Sequence, residues 1–172
     1  MICPSCGHVN VPGADECGRC QFALAAIDAN PTGHDAVEES VLHDSVRRLK
    51  PKPPVTVPEH ETLGLALDRM VEHRVGALLV VGADDKLVGI LTERDYLIKV
   101  VGLVDDYARL PLRDHMTAAP ETVSPDDPLG SALQKMAVGG YRHLPVVIDG
   151  KPVGLISVRD VIRHLTRLCG PA

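Results

Sequence analysis

Four of the five cysteines in this chain fall within its first 20 positions, as Cys3-Pro-Ser-Cys6 and Cys17-Gly-Arg-Cys20. Two C-x-x-C pairs can aim four thiolates at one ion. Four soft thiolates suit tetrahedral Zn2+, with iron as the competitor. Glycine follows the first pair and splits the second (Gly7, Gly18), where a tight turn between ligands needs unusual backbone angles. The competing reading, a redox pair or a disulfide, fits less well, because a thioredoxin-type motif uses one pair at a strand–helix junction. So short a segment has almost no core, and metal ligation would have to fold it. Cys169 stands alone, with no nucleophile motif around it, and reads as an idle thiol.

A second constellation is written twice: GILTERD at 89–95 and GLISVRD at 154–160. In each, a glycine within an apolar strand permits close approach of a ligand or another backbone. Thr92 and Ser157 stand where the strand hands over to a helix, a junction whose free N–H groups favour an anion. Arg94 and Arg159 add donors for a phosphate. Asp95 and Asp160, one turn on, can accept from two ribose hydroxyls, as acids do in dinucleotide folds. The competing reading is a capping box, in which hydroxyl and acid satisfy only the helix's own N–H groups. Ser124-Pro-Asp-Asp127 has the same spacing and is expected to cap a helix.

These residues are carried by a repeating framework. VRRLKPKPPVTV (46–57) lies over LRDHMTAAPETV (112–123), so that Pro54, Thr56 and Val57 match Pro120, Thr122 and Val123, 66 positions on. Leu63, Ala66, Leu67 and Met70 recur as Leu129, Ala132, Leu133 and Met136, a spacing that predicts one buried helical stripe. The apolar runs ALLVV (77–81) and LPVVI (144–148) follow, with turns at GADDK and DGK that predict hairpins. Helices are expected again at 96–101 and 161–168. The unit is strand, helix, strand, strand, helix, and two such small units should pack together. Ahead of them, 21–36 reads as a linker and 37–49 as a short helix with acids first and arginines last.

At this length of pattern the two units resemble a tandem pair of cystathionine-beta-synthase (CBS) domains, a Bateman module, over roughly 46–168. The stretches that carry the resemblance are GILTERD, GLISVRD, the YRHLPVV run at 141–147 and LRDHMTAAPETV. The cysteine segment resembles a short zinc-ribbon knuckle. The resemblance implies an α/β (α+β) chain with a ribbon over 1–22, a linker and short helix over 23–45, and βαββα repeats over 46–109 and 110–172. It implies that the repeats are related by pseudo-twofold symmetry, with clefts between them for AMP, ADP, ATP or S-adenosylmethionine, and that modules form homodimers. Carried over by position, Thr92 and Asp95 serve one cleft, and Ser157 and Asp160 the other. Thr56 and Val57, or Thr122 and Val123, offer backbone contacts to the base. Arg94, Arg159 and His143 approach phosphate. The second cleft, with His143-Leu144-Pro145 where the first copy has Ala77-Leu78-Leu79, is the better furnished. Cys3, Cys6, Cys17 and Cys20 are the metal ligands.

Composition narrows the function. A net charge of −5 and scarce aromatics (one Phe, three Tyr, no Trp) argue against nucleic acid as partner. No apolar run reaches the roughly 20 residues that cross a bilayer. The start lacks a signal-peptide pattern, so a cytoplasmic location is expected. No nucleophile–base–orienter set appears, which points away from an enzyme. The expectation is a regulatory protein that senses an adenosine-containing ligand and passes the signal to a protein partner. The alternative is a dimeric scaffold acting through the ribbon, with no nucleotide role.

Overall fold

The computed structural model describes residues 3, 6–11, 14–21, 24 and 36–169. The chain divides into two compact units, Met1–Ala36 and Val37–Ala172. Most of the linker expected over 21–36 lies outside the described residues. The short helix expected over 37–49 is broken: α1 spans Ala36–His43 and a 3-10 turn follows at Val46–Leu49.

In the larger unit the first repeat runs β1 (Thr56–Pro58), α2 (Leu63–His73), β2 (Ala77–Val81), β3 (Leu87–Thr92) and α3 (Glu93–Lys99). After β4 (Thr117–Ala118) the second repeat runs α4 (Leu129–Gly139), β5 (His143–Ile148), β6 (Lys151–Ser157) and α5 (Val158–Leu168). The helical stripes are as expected: Leu63, Ala66 and Met70 bury on α2, and Leu129, Ala132 and Met136 on α4. The hairpins form where the turn residues put them. Asp149 and Gly150 both take positive φ (51° and 79°), the two-residue turn that matches strand twist.

Sheet order is β1-β2-β3-β4, with β1 parallel to β2 and the other pairs antiparallel. The second repeat reproduces this around β5 and β6. Val123 bridges Val146 in parallel, and Lys52 bridges Leu155 antiparallel. The strand ahead of the second repeat therefore closes the first repeat's sheet, and the segment ahead of the first repeat closes the second's.

The exchange extends to the helices. Leu63 N–H donates to Leu110 O (2.9 Å), and Leu129 N–H donates to Asp44 O (2.8 Å). Leu112 N–H donates to Glu61 O, and Val46 N–H to Asp127 O, both at 2.9 Å. Leu112 is wholly buried in the first repeat's core, and Val46 in the second's. Each repeat thus receives an arm from in front of the other. Between the sheets, Ala77, Leu79 and Ile90 form a further cluster with Leu155. That burial from both faces is why ALLVV reads as an unbroken apolar run.

The arms explain the two strand glycines. A Cβ at Gly89 would stand 2.3 Å from Met116 Sδ, and one at Gly154 would stand 2.6 Å from Pro51 Cβ. Of the two openings left by the sequence, ligand or chain, it is the arm that passes there.

The expected cap at Ser124–Asp127 is corrected. Helix α4 starts beyond it, with Pro128 at the N-cap and no side-chain cap. Ser124 and Asp127 instead close their own turn, Ser124 N–H donating to Asp127 Oδ2 at 2.9 Å. Proline fixes the entry to the helix, and the carbonyl of Asp44 takes the first orphan N–H.

Candidate functional site

The Thr92 and Ser157 motifs build the same local structure. Asp95 Oδ2 accepts from Thr92 N–H (2.9 Å) and Thr92 Oγ1 (2.6 Å). Asp160 Oδ2 accepts from Ser157 N–H (2.9 Å) and Ser157 Oγ (2.6 Å). Both are capping boxes, so the acids do secure their helices. One oxygen of each carboxylate remains, and a cation meets it: Lys99 Nζ lies 2.7 Å from Asp95 Oδ1, and Arg163 lies 3.2 Å from Asp160 Oδ1. Burial raises the pKa of Asp95, but Lys99 and Thr92 outweigh it and hold the carboxyl below its ordinary range. A carboxylate offers about four acceptor positions, so capping leaves room for a further donor.

Asp95 also faces a cavity of about 380 Å³, within the usual range for small-molecule sites. Its walls combine Thr92, Arg94, Asp95 and Lys99 of the first repeat, the 117–121 stretch after its arm, and Gly140–His143 entering β5. Ile90, Ile98, Pro120 and Tyr141 supply apolar surface. Tyr141 also packs over Gly139, whose Cα hydrogen side its ring covers. Glu121 is paired with Lys135 at 3.3 Å. Among the described residues the guanidinium groups of Arg94 and Arg142 have no hydrogen bond or ion pair, so the mouth carries uncompensated positive charge.

Burial, then the charge of Arg142, lowers the pKa of His143, against the opposing pull of Glu93 and Asp160. Burial thus favours the uncharged imidazole, a hydrogen-bonding group, over the cation. It shares the cavity with Thr92 and Asp95. It also pairs with Ser157 across the β5–β6 ladder and feels the charge of Asp160, the two residues the sequence grouped it with.

The remaining candidates are spread more widely. Thr56 O accepts from Arg69 and Thr122 O from Lys135, each at 2.7 Å. Val57 and Val123 are core residues. Pro145 is buried in β5, its carbonyl accepting from Val123 N–H at 3.0 Å. Ser157, Arg159 and Asp160 sit at the matching strand–helix junction of the second repeat and do not themselves line this cavity. Lys99, Arg142 and the 118–120 wall were missed. The repeat had flagged 112–123 as special, but its pattern did not say which copy that stretch would face.

Another Ser, His and Asp gather without forming a triad. Ser40 Oγ donates to Asp44 Oδ2 (2.5 Å) and meets His164 Nε2 (2.8 Å), while Asp44 Oδ2 lies 3.4 Å from the same nitrogen. A triad needs nucleophile and acid on opposite ring nitrogens. The cluster joins α1 to α5.

In the smaller unit the sulfurs of Cys3, Cys6, Cys17 and Cys20 all lie within 4.8 Å of one another. Cys3–Cys20 and Cys6–Cys17 are each 3.6 Å apart. Thiolates about 2.3 Å from one zinc ion stand about 3.8 Å apart in a tetrahedron, so the four residues fit such an ion. Gly7 takes φ 70° after the first pair, but after the second the left-handed residue is Gln21 (φ 58°), not Gly18. Burial disfavours the Cys17 thiolate, yet N–H donors from Arg19, Cys20 and Asn10 bring its pKa down to about 6. A backbone donor at His8 favours the Cys6 thiolate, but burial and the neighbouring thiols push its pKa up to about 12.

Comparison with known proteins agrees with this architecture. Residues 46–102 and 112–167 each match the CBS domain family. A CBS domain-containing protein of Arabidopsis thaliana is 40% identical over 127 residues, 72% of this chain but 23% of its own length. The chain therefore spans about a quarter of that relative. Hypoxic response protein 1 of Mycobacterium tuberculosis is 34% identical over 109 residues, covering 63% of this chain and 76% of that one. A CBS domain protein of Pyrobaculum aerophilum, solved in complex with AMP, superposes with a TM-score of 0.64 at 30% identity, over 73% of this chain and 98% of that one. With both repeats matched and their mixed α+β fold shared by these structures, the chain belongs to the CBS domain family and carries the domain twice.

Proposed function

We propose that this protein is a regulatory binding module, not an enzyme, and that its ligand is an adenosine-containing nucleotide held in the cavity between the repeats. The observation that carries this reading is the cavity's makeup. A hydroxyl, a carboxylate held by its cap and by Lys99, two uncompensated guanidiniums and apolar walls meet there from both repeats. A sugar diol suits Asp95 Oδ1, displacing or sharing Lys99. Phosphate suits Arg94 and Arg142, and the base suits the wall of Ile90, Pro120 and Tyr141. The AMP complex of the Pyrobaculum relative supports the ligand class. Ser157, Arg159 and Asp160 are the matching positions for a second ligand, and the backbone of Thr56 and Val57, or of Thr122 and Val123, is proposed to meet the base in either cleft.

Thermal unfolding with AMP, ADP, ATP and S-adenosylmethionine tests the reading. A ligand at about 100 times its Kd adds about 2.7 kcal/mol of stability. Asp95→Ala is expected to abolish most of the ligand-dependent shift, whatever it does to the unliganded midpoint through its cap. If none of the four moves the wild-type midpoint, the scaffold reading replaces this one.

The same module is proposed to form a homodimer through its helical faces. Val71, Leu97 and Val101 expose apolar side chains beside a groove on α2 and α3, and Ile162 matches Leu97 on α5. Leu97→Asp is expected to halve the mass seen by sedimentation. A wild-type monomer at micromolar concentration would rule the dimer out.

The four cysteines are proposed to hold Zn2+, or iron, as a structural ion. Partner identity is proposed only as a protein that reads the ligand state of the module.

A further inference from the structure

The thiolate cluster has a neighbour that its C-x-x-C spacing does not announce. Asn10, 8% exposed, is one of two buried polar side chains among the described residues. Its amide nitrogen donates to His8 O at 3.1 Å, in the first half of the segment. The same nitrogen points at Cys17 Sγ at 3.6 Å. Its oxygen accepts from Gly18 N–H at 3.0 Å, in the second half. One side chain therefore ties the two cysteine pairs together and directs an N–H group at a ligand sulfur. Arg19 N–H reaches the same sulfur at 3.4 Å.

We infer that Asn10 is the positioning residue of the four-cysteine metal site, holding Cys17 Sγ in its ligating orientation through an N–H···S hydrogen bond. This rests on the reading of the cysteines as metal ligands. The physical reason is general. A metal's ligands are aimed by their own hydrogen-bond partners, and a thiolate given a donor is both oriented and made less basic. Losing such a partner typically weakens metal affinity about 10- to 100-fold.

Two variants separate donation from bridging. Asn10→Ala removes all three bonds. Asn10→Asp keeps an acceptor for Gly18 N–H but puts a carboxylate oxygen where the donor to Cys17 Sγ and His8 O stood. The full chain is titrated with Co2+, whose thiolate charge-transfer and d–d bands report a tetrahedral sulfur site. Zn2+ affinity is then read by competition with a chromophoric chelator. Both variants are expected to bind about 10- to 100-fold more weakly than wild type. At saturating cobalt the charge-transfer band is expected at lower energy, because a sulfur without its donor gives up charge more easily. Wild-type affinity in either variant overturns the inference, since the Gly18 N–H bond alone would survive in Asn10→Asp. If the wild-type chain itself gives no cobalt–thiolate spectrum, the metal reading falls and this inference with it.

Discussion

With the four cysteines holding a metal as proposed, a chelator is expected to unfold the cysteine segment outright, while residues 37–172 keep a cooperative transition. The magnitudes leave little choice. Among the described residues the segment's buried cluster is Cys3, Cys17 and Leu24, with Cys6 and Ala14 at its edge. Burying one leucine side chain is worth about 1.5–3 kcal/mol. Fixing the backbone costs about 1–2 kcal/mol for every residue ordered. Apolar burial therefore falls far short. Structural zinc contributes roughly 10–16 kcal/mol in finger peptides, enough to reverse the balance. Elemental analysis of purified protein identifies the ion, and limited proteolysis before and after chelation checks the folding claim. A segment that stays protease-resistant with metal removed would defeat it. The larger unit has its own two cores, which is why its transition should persist.

Leu112→Ala is the point substitution expected to cost most in the larger unit, about 2–5 kcal/mol in urea unfolding. Total stability of a typical domain is about 5–15 kcal/mol, so the loss is a large share. The residue lies in the connection between repeats and starts the second family match. By sequence alone its truncation would be assigned to the second repeat. In the structure its side chain is fully buried among Val57, Leu63, Met70, Leu78 and Tyr96 of the first. Tyr96 is fixed there by its hydroxyl, which donates to Leu63 O. Val46→Ala, removing less from the second core, should cost less. A Leu112→Ala loss below about 0.5 kcal/mol, the level of ordinary surface changes, would show that the arm does not hold its repeat together.

How much could be read beforehand follows from the range of each signal. Helical stripes and hairpin turns are local, and Leu63, Ala66, Met70 and their partners 66 positions on were placed correctly. The doubled motif was legible as chemistry, and of its two readings the structure shows the cap at Asp95: Oδ2 takes the cap donors and Oδ1 pairs with Lys99. The exchange of arms was not legible. A repeat offset says that two segments are alike, not which copy each one packs against. For the same reason Lys99 and Arg142 were overlooked, and His143, which pairs with Ser157, was not expected to line the cavity of Thr92 and Asp95 as well. The capping assignment at Ser124 failed because Pro128 moved the helix start past it. Asn10 carries no sequence signal, since an asparagine that bridges two turns looks like any loop asparagine.

The crossed arms bear on how such a chain could have arisen. A solitary repeat with its own leading segment would present an uncovered sheet edge and a hollow where Val46 or Leu112 now sits. Its ready remedy is a second molecule, each lending its leader to the other. Gene duplication followed by fusion would then turn a strand-swapped pair into one polypeptide without altering a single contact. On that history, the cleft is an old intersubunit boundary now enclosed within one chain.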